Sequence, residues 1–273
     1  MPGDKNRGRV NIITTSDIAK TISDAAYSAY EKKLLREVRQ GPVPKHIAII
    51  MDGNRRFALG MGMDTADGHL KGRDKLEEVL EWGREVGIKI LTVYAFSTEN
   101  TNRSKDEVET LMKLFEENFY SLADDERVHK YGIRVQAIGD RTLLPKYLIK
   151  AITHAEDRTK KYNNYIFNIA LAYGSRHEML DAIKGIAKDV RDNKLKIDDI
   201  DEKVFASKLY TGDMPDPDLI LRTSGELRIS NFLLWQLAYS ELYFTDIFWP
   251  GFRKIDFLRA IRSFQLRRRR YGK

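Results

Sequence analysis

Six short, almost continuously apolar runs punctuate the chain, at residues 47–51, 89–96, 133–138, 165–171, 218–222 and about 242–248. Amphipathic stretches of helical period lie between them, at 69–86, 104–122, 142–160, 175–190 and 202–209, and a last one, 254–269, follows Trp249-Pro250-Gly251. A strand with one wet face alternates apolar and polar residues; a run without alternation is buried on both faces. Buried strands that alternate with helices build βαβ units. The fold class is therefore α/β, with a mostly parallel central sheet of about six strands flanked by helices. Ahead of the first run, Ile18, Ile22, Ala26, Ala29, Leu34, Leu35 and Val38 recur at roughly helical spacing behind Ser16, and Gly41-Pro42 ends the pattern. This predicts an amphipathic helix packed on the domain. The chain divides into an extension, residues 1–41, and one domain, residues 42–273.

At 273 residues the chain can bury one large core. The absence of cysteine excludes disulfides, thiolate metal sites and a thiol nucleophile, and fits a reducing cytoplasm. The N-terminal MPGDKNRGRV has no apolar signal core, and no run reaches the length of a membrane span. The expected location is cytoplasmic. The formal net charge of +7 attracts polyanions, and the run Arg267–Arg270 offers a peripheral contact with anionic membrane.

Open α/β sheets bind ligands beyond the carboxyl ends of their strands. Here those ends read DGNRR, FSTENTNR, GDR, AYGSR and RTSGELRIS. Asp52, Asn100, Arg103, Arg222 and Arg228 are thus expected to converge on one edge. A guanidinium grips phosphate oxygens with paired hydrogen bonds, so Arg222 and Arg228 with Ser224 and Ser230 suit one diphosphate. Gly53 and Asn54 open a helix, whose free N–H groups favour a second anion. Asp52 would repel both unless a cation intervenes. Mg²⁺ is the fitting ion, because it is held by one or two carboxylates together with substrate phosphates. Ala95, Phe96, Ile169, Leu171, Leu221 and Phe232 lie on or beside these strands; most read as core, yet an apolar channel next to a diphosphate head suits an isoprenoid. The histidines His46, His69, His129, His154 and His177 are scattered, and His69 alone lies near Asp52.

HIAIIMDGNRRFA, YAFSTENTNR, IGD, AYGSRHE and DLILRTSGELRISNFLLWQLAYSELYFTDIFWPGF closely resemble the motifs of the cis-prenyltransferases, the undecaprenyl and dehydrodolichyl diphosphate synthase family. The likeness runs from about residue 42 to the terminal Arg270-Tyr271-Gly272, which is similar to the family's RxG ending. The resemblance implies a dimer, here expected as a homodimer, with an apolar product tunnel. It implies Mg²⁺-dependent condensation of isopentenyl diphosphate with an allylic prenyl diphosphate, making a Z double bond. By the same resemblance Asp52 and Asn100 are catalytic, and Asp52 and Glu241 serve the metal. Gly53, Asn54, Arg55, Arg56 and His69 belong to the allylic diphosphate site. Ser97 and Arg103 stand beside the reacting groups. Arg222, Arg228 and Ser230 bind isopentenyl diphosphate, and Arg270 and Gly272 complete a neighbour's site.

Some positions depart from the family pattern. Arg55 replaces a common glycine, Phe57 a tryptophan, Thr65 an arginine that grips the allylic diphosphate, and Thr101 an aromatic. Leu171 replaces an alanine on a strand that lines the tunnel, which predicts a short or medium product. The alternatives are a non-catalytic subunit of a heteromeric enzyme and a member performing irregular coupling. Nucleic-acid binding is not expected: no basic, aromatic-studded motif accompanies the charge. Neither a P-loop nor a dinucleotide fingerprint is present.

Overall fold

The computed structural model describes residues 15–212 and 214–268. Backbone hydrogen bonds join six strands into one all-parallel sheet: β1 (His46–Ile50), β2 (Ile90–Ser97), β3 (Ile133–Ile138), β4 (Tyr165–Tyr173), β5 (Leu219–Arg222) and β6 (Glu241–Phe244). Their order across the sheet is β3-β4-β2-β1-β5-β6. All six apolar runs are therefore strands, as the lack of alternation requires.

The helices are α1 (Thr15–Gln40), α2 (Asn54–Gly60), α3 (Thr65–Val86), α4 (Lys105–Asp124), α5 (Glu126–Tyr131), α6 (Lys146–Thr159), α7 (Ser175–Arg191), α8 (Glu202–Ser207) and α9 (Lys254–Arg268). Two carry no legible helical period, although Gly53-Asn54 marks the start of the first. α2 has seven residues, too few for a helical period to emerge. α5 begins after a break at Asp125, whose side chain caps it by accepting from Arg127 N.

The sheet buries both faces. On one, Ile47, Ile49, Val93, Phe167 and Ile169 pack with residues of α3, α4, α6 and α9. On the other, Ala48, Ile50, Tyr94 and Tyr173 meet Phe232 and Leu233, and the Tyr94 and Phe232 rings stack at 4.4 Å. Leu34 and Val38 of α1 belong to the first core, and Gln265 of α9 donates to Val38 O at 2.7 Å. The last part of α1 thus packs on the domain through Leu34, Leu35 and Val38, whereas Ala26 and Ala29, expected on the same face, are exposed.

A buried polar chain crosses the start of the strands. His46 Nδ1 bonds Pro215 O at 2.7 Å, and its Nε2 bonds Thr92 Oγ1 at 2.8 Å, which Asn168 Nδ2 reaches at 3.0 Å. Burial pulls the His46 imidazole down to about 4, so it is neutral and every ring nitrogen is bonded. No helix among the described residues is long and apolar enough to cross a membrane.

Candidate active site

The chain leaves β1 for β2 on one side and later returns as β5 on the other. A crevice opens at such a switch point. Here the loops after β1, β2 and β5 surround a cleft of about 710 Å³. It is lined by Asp52, Gly53, Asn54, Arg55, Arg56, His69, Ser97, Asn100, Arg103, Arg222, Arg228 and Ser230. The five residues expected to converge, Asp52, Asn100, Arg103, Arg222 and Arg228, all line it. The loops after β3 and β4 do not line the cleft, because β4 and then β3 lie beyond β2. The β4 loop supports it from behind: Ser175 N donates to Asn231 O at 2.8 Å and Arg176 N to Asn231 Oδ1 at 2.9 Å.

Asp52 is the hub. Arg222 Nη2 donates to its Oδ2 at 2.8 Å and Arg56 Nη2 to its Oδ1 at 3.3 Å. Burial pushes the carboxyl up, but the hydrogen bond and charge of Arg222, with the charge of Arg56, outweigh it and hold the group below the usual carboxylate range. Asp52 is ionised at neutral pH. Arg222 is almost wholly buried, and its Nη1 also donates to Ser230 Oγ at 2.7 Å and to Arg228 O. Arg56 reaches Ser224 Oγ at 2.5 Å and Glu226 Oε1 at 3.2 Å, and Arg228 pairs with Glu226 as well. Ser224, Ser230, Asn231 and Leu233 all have positive φ, at 77°, 53°, 60° and 47°. Such strain persists only where surrounding contacts hold it, and it clusters at ligand sites.

Gly53, at φ 107°, lets the backbone turn from β1 into α2; a Cβ there would lie 2.8 Å from the Phe248 ring. Gly72 of α3 lets Asn54 approach: a Cβ would sit 2.4 Å from Asn54 Oδ1. The Gly72 carbonyl accepts from the indole of buried Trp249 at 2.8 Å. On the opposite wall, Ser97 and Asn100 cap each other. Asn100 N donates to Ser97 Oγ at 3.2 Å and Ser97 N to Asn100 Oδ1 at 3.1 Å. This locks the turn at 98–102 and leaves the Ser97 hydroxyl hydrogen and the Asn100 amide to donate.

Three buried polar atoms at the cleft lack a partner: Asn54 Oδ1, His69 Nε2 and Arg222 Nε. Each costs about 1–3 kcal/mol unsatisfied, a cost a polar ligand relieves. Burial, then the Arg103 charge, lowers the His69 pKa, so its imidazole is neutral at pH 7. Its Nε2 lies 3.6 Å from Glu107 Oε1, which also pairs with Arg103 at 3.0 Å and Arg55 at 3.8 Å.

Glu107 and Glu226 are cleft organisers that sequence reasoning missed. Glu107 follows Arg103 by four residues, a helical ion-pair spacing, and Glu226 stands between two arginines in one loop. Glu241 lies elsewhere. It opens β6 at the sheet's other edge, level with Leu219, and accepts from Arg267 at 3.1 Å; it is not among the residues lining the cleft. Thr65 begins α3 and does not line the cleft either. Arg270 and Gly272 lie outside the described residues.

Asp52 fits Mg²⁺ by its chemistry. It is an ionised carboxylate facing an arginine-lined cleft, and Mg²⁺ takes few protein carboxylates plus substrate phosphates. Among the described residues, no group of three or more His, Asp or Glu can cage a metal alone.

A second cavity, of about 150 Å³, runs between α3 and α4 over the sheet. Leu76, Leu80, Phe115, Phe119, Phe167 and Ile169 line it, and so does Trp249. It shares Met51, Asn54, His69 and Ala95 with the cleft, so the two adjoin. Leu171, the substitution expected to shorten a tunnel, lines neither; it is buried in the core with Phe96 and Ala172.

The family described as "Putative undecaprenyl diphosphate synthase" matches residues 50–272. The chain is 58% identical to a tritrans,polycis-undecaprenyl-diphosphate synthase (geranylgeranyl-diphosphate specific) of Pyrococcus horikoshii, over 94% of this chain and 98% of that protein. It is 55% identical to the protein of the same name from Methanocaldococcus jannaschii, over 89% and 88%. Among solved structures, lavandulyl diphosphate synthase from Lavandula x intermedia, in complex with dimethylallyl diphosphate, superposes with a TM-score of 0.76 at 38% identity, over 82% of this chain and 95% of that one. A probable undecaprenyl diphosphate synthase from Campylobacter jejuni gives 0.66 at 33%, over 81% and 95%. With this match and the all-parallel α/β sheet, the chain belongs to the undecaprenyl diphosphate synthase family, the cis-prenyltransferases.

Proposed function

We propose that this enzyme condenses isopentenyl diphosphate with geranylgeranyl diphosphate, head to tail, and extends it in Z configuration to undecaprenyl diphosphate. The observation that carries the reading is the junction of an arginine-lined cleft with an apolar cavity through Met51, Asn54, His69 and Ala95. That junction suits a diphosphate head whose prenyl tail enters the cavity as the start of a product tunnel. Arg222, Arg228 and Ser230 hold isopentenyl diphosphate. Gly53, Asn54, Arg55 and Arg56 hold the allylic diphosphate, with neutral His69 as a hydrogen-bond donor. Ser97, Asn100 and Arg103 stand beside the reacting carbons. The homoallylic double bond attacks the allylic carbon as diphosphate departs, and a proton is then lost. Asp52 would hold Mg²⁺, which supplies positive charge for the departing diphosphate. The arginines stabilise the same charge without reorganising.

The donor and product follow from the names of relatives at 55–58% identity, which outweigh the lavandulyl likeness at 38%. Leu171 gives no ground for a shorter chain, since it lies away from both cavities. A non-catalytic subunit is disfavoured, because Asp52, Asn100, Arg222 and Arg228 are all in place around the cleft.

A second copy of the chain is the expected partner. Leu180 and Ile183 of α7 and, separately, Tyr239 expose 54%, 53% and 100% of their surface, apolar side chains that a dimer would cover. In the dimer Glu241 would serve the metal, and Arg270 and Gly272 the neighbouring cleft. The run Arg267–Arg270 would add a peripheral contact with anionic membrane, checked by flotation with acidic liposomes.

The test is a product assay with Mg²⁺, labelled isopentenyl diphosphate and a series of allylic diphosphates. The expected result is preference for geranylgeranyl diphosphate and a linear undecaprenyl product with Z double bonds. No product from any donor, or a branched skeleton, overturns the reading.

A further inference from the structure

An apolar cavity of about 150 Å³ accepts a group the size of benzene, the bulk of one isoprene unit. The cavity between α3 and α4 has that volume. On the reading proposed above, a chain of many units must grow into it, so its walls must part. Where they part is written in the contacts across the seam. At the cleft end α3 and α4 meet through His69 and Glu107, whose surroundings serve the cleft. At the far end α3 is tied to α5 by Glu77 and Arg127, 3.2 Å apart, and by Arg84, whose guanidinium lies 4.0 Å from the centre of the Tyr131 ring. Glu77 and Arg127 line the cavity themselves. A recess of about 30 Å³ adjoins the cavity, sharing Leu80, Ile133 and Phe167, and is walled by Arg84.

We propose that the pairs Glu77–Arg127 and Arg84–Tyr131 form a clasp that tunes product length: release is favoured where the growing tail must open the clasp to advance. Glu77 and Arg127 are each about half exposed. Such a pair is weak and screened by salt, so it shifts the balance between release and further extension a few-fold and sets no absolute stop. The clasp is a specificity determinant; it touches no reacting atom.

Product lengths from geranylgeranyl and isopentenyl diphosphates test this, for wild type and for Arg127→Ala, Glu77→Gln, Arg127→Lys and Ala95→Leu. Arg127→Ala and Glu77→Gln are expected to raise the ratio of longer chains to the main product about two- to five-fold, the range of an exposed ion pair. The rate of the first addition stays unchanged, and Arg127→Lys keeps the wild-type distribution. High salt moves the wild type in the same direction and leaves Arg127→Ala where it is. Ala95→Leu narrows the entrance and shortens the product. Shorter products from Ala95→Leu together with wild-type lengths from Arg127→Ala and Glu77→Gln overturn the clasp alone. Unchanged length in Ala95→Leu shows that the tail does not enter this cavity, and the underlying reading fails with it.

Discussion

The two ends of β1 carry titratable side chains in opposite states. His46, at the entry, is 1% exposed and neutral, with both ring nitrogens bonded inside the core. Asp52, two residues past the exit, is half-buried and ionised, and its partners are guanidiniums that themselves face a cleft. One strand thus separates an imidazole satisfied within the core from a carboxylate held by guanidiniums at the edge of a cleft. Of the five unpartnered buried side-chain atoms among the described residues, Asn54 Oδ1, His69 Nε2 and Arg222 Nε gather at the Asp52 end; Asn168 Oδ1 belongs to the His46 chain and Gln236 Oε1 lies elsewhere.

The comparison breaks most sharply at Asp52. Asp52→Asn keeps an acceptor for Arg222 but removes the charge, and it is expected to cut kcat/KM by about 10²- to 10³-fold while the fold persists by circular dichroism. An unchanged rate would move the metal role elsewhere.

The opposite end answers to pH. With a folded pKa of about 4 against an ordinary 6.5, the unfolded chain takes up the His46 proton first as pH falls. Stability present above about 6.5 is therefore lost toward pH 4, by on the order of 3 kcal/mol. The Asp52 pKa is shifted down, so its charge survives most of that window. Unfolding midpoints across pH should fall as stated in wild type and less steeply in His46→Gln.

A smaller effect sharpens the contrast at β6. Glu241 shares an edge with His46, yet its pairing with Arg267 is surface-exposed and worth about 0–1 kcal/mol. Glu241→Gln should leave stability nearly unchanged and lower activity about tenfold, the scale of a lost metal-supporting group. Full activity would confine Glu241 to its ion pair.

The strands were legible because burial on both faces imposes an apolar run, and the cleft because a parallel sheet sends strand ends to one edge. Sheet order is not written in any single strand, so which of the five loops frame the cleft was not legible; the strands of two of them lie beyond β2. Only the start of α2 was legible, at Gly53-Asn54, because seven residues carry no period, and α5 hid because Asp125 interrupts one. Leu171 was misplaced for a related reason: alternation along β4 says which face a residue takes, not whether a cavity or a helix covers it. Glu107 and Glu226 act through charges brought from other elements, which only the assembled fold reveals.

Trp249 gives the molecule its own optical reporter. Its indole is anchored to Gly72, beside the Asn54 loop, and forms part of the apolar cavity wall. Indole emission depends on the polarity and motion of what surrounds it. In a protein whose Trp82 and Trp235 are replaced, a tail advancing past Trp249 would change the emission of that one indole.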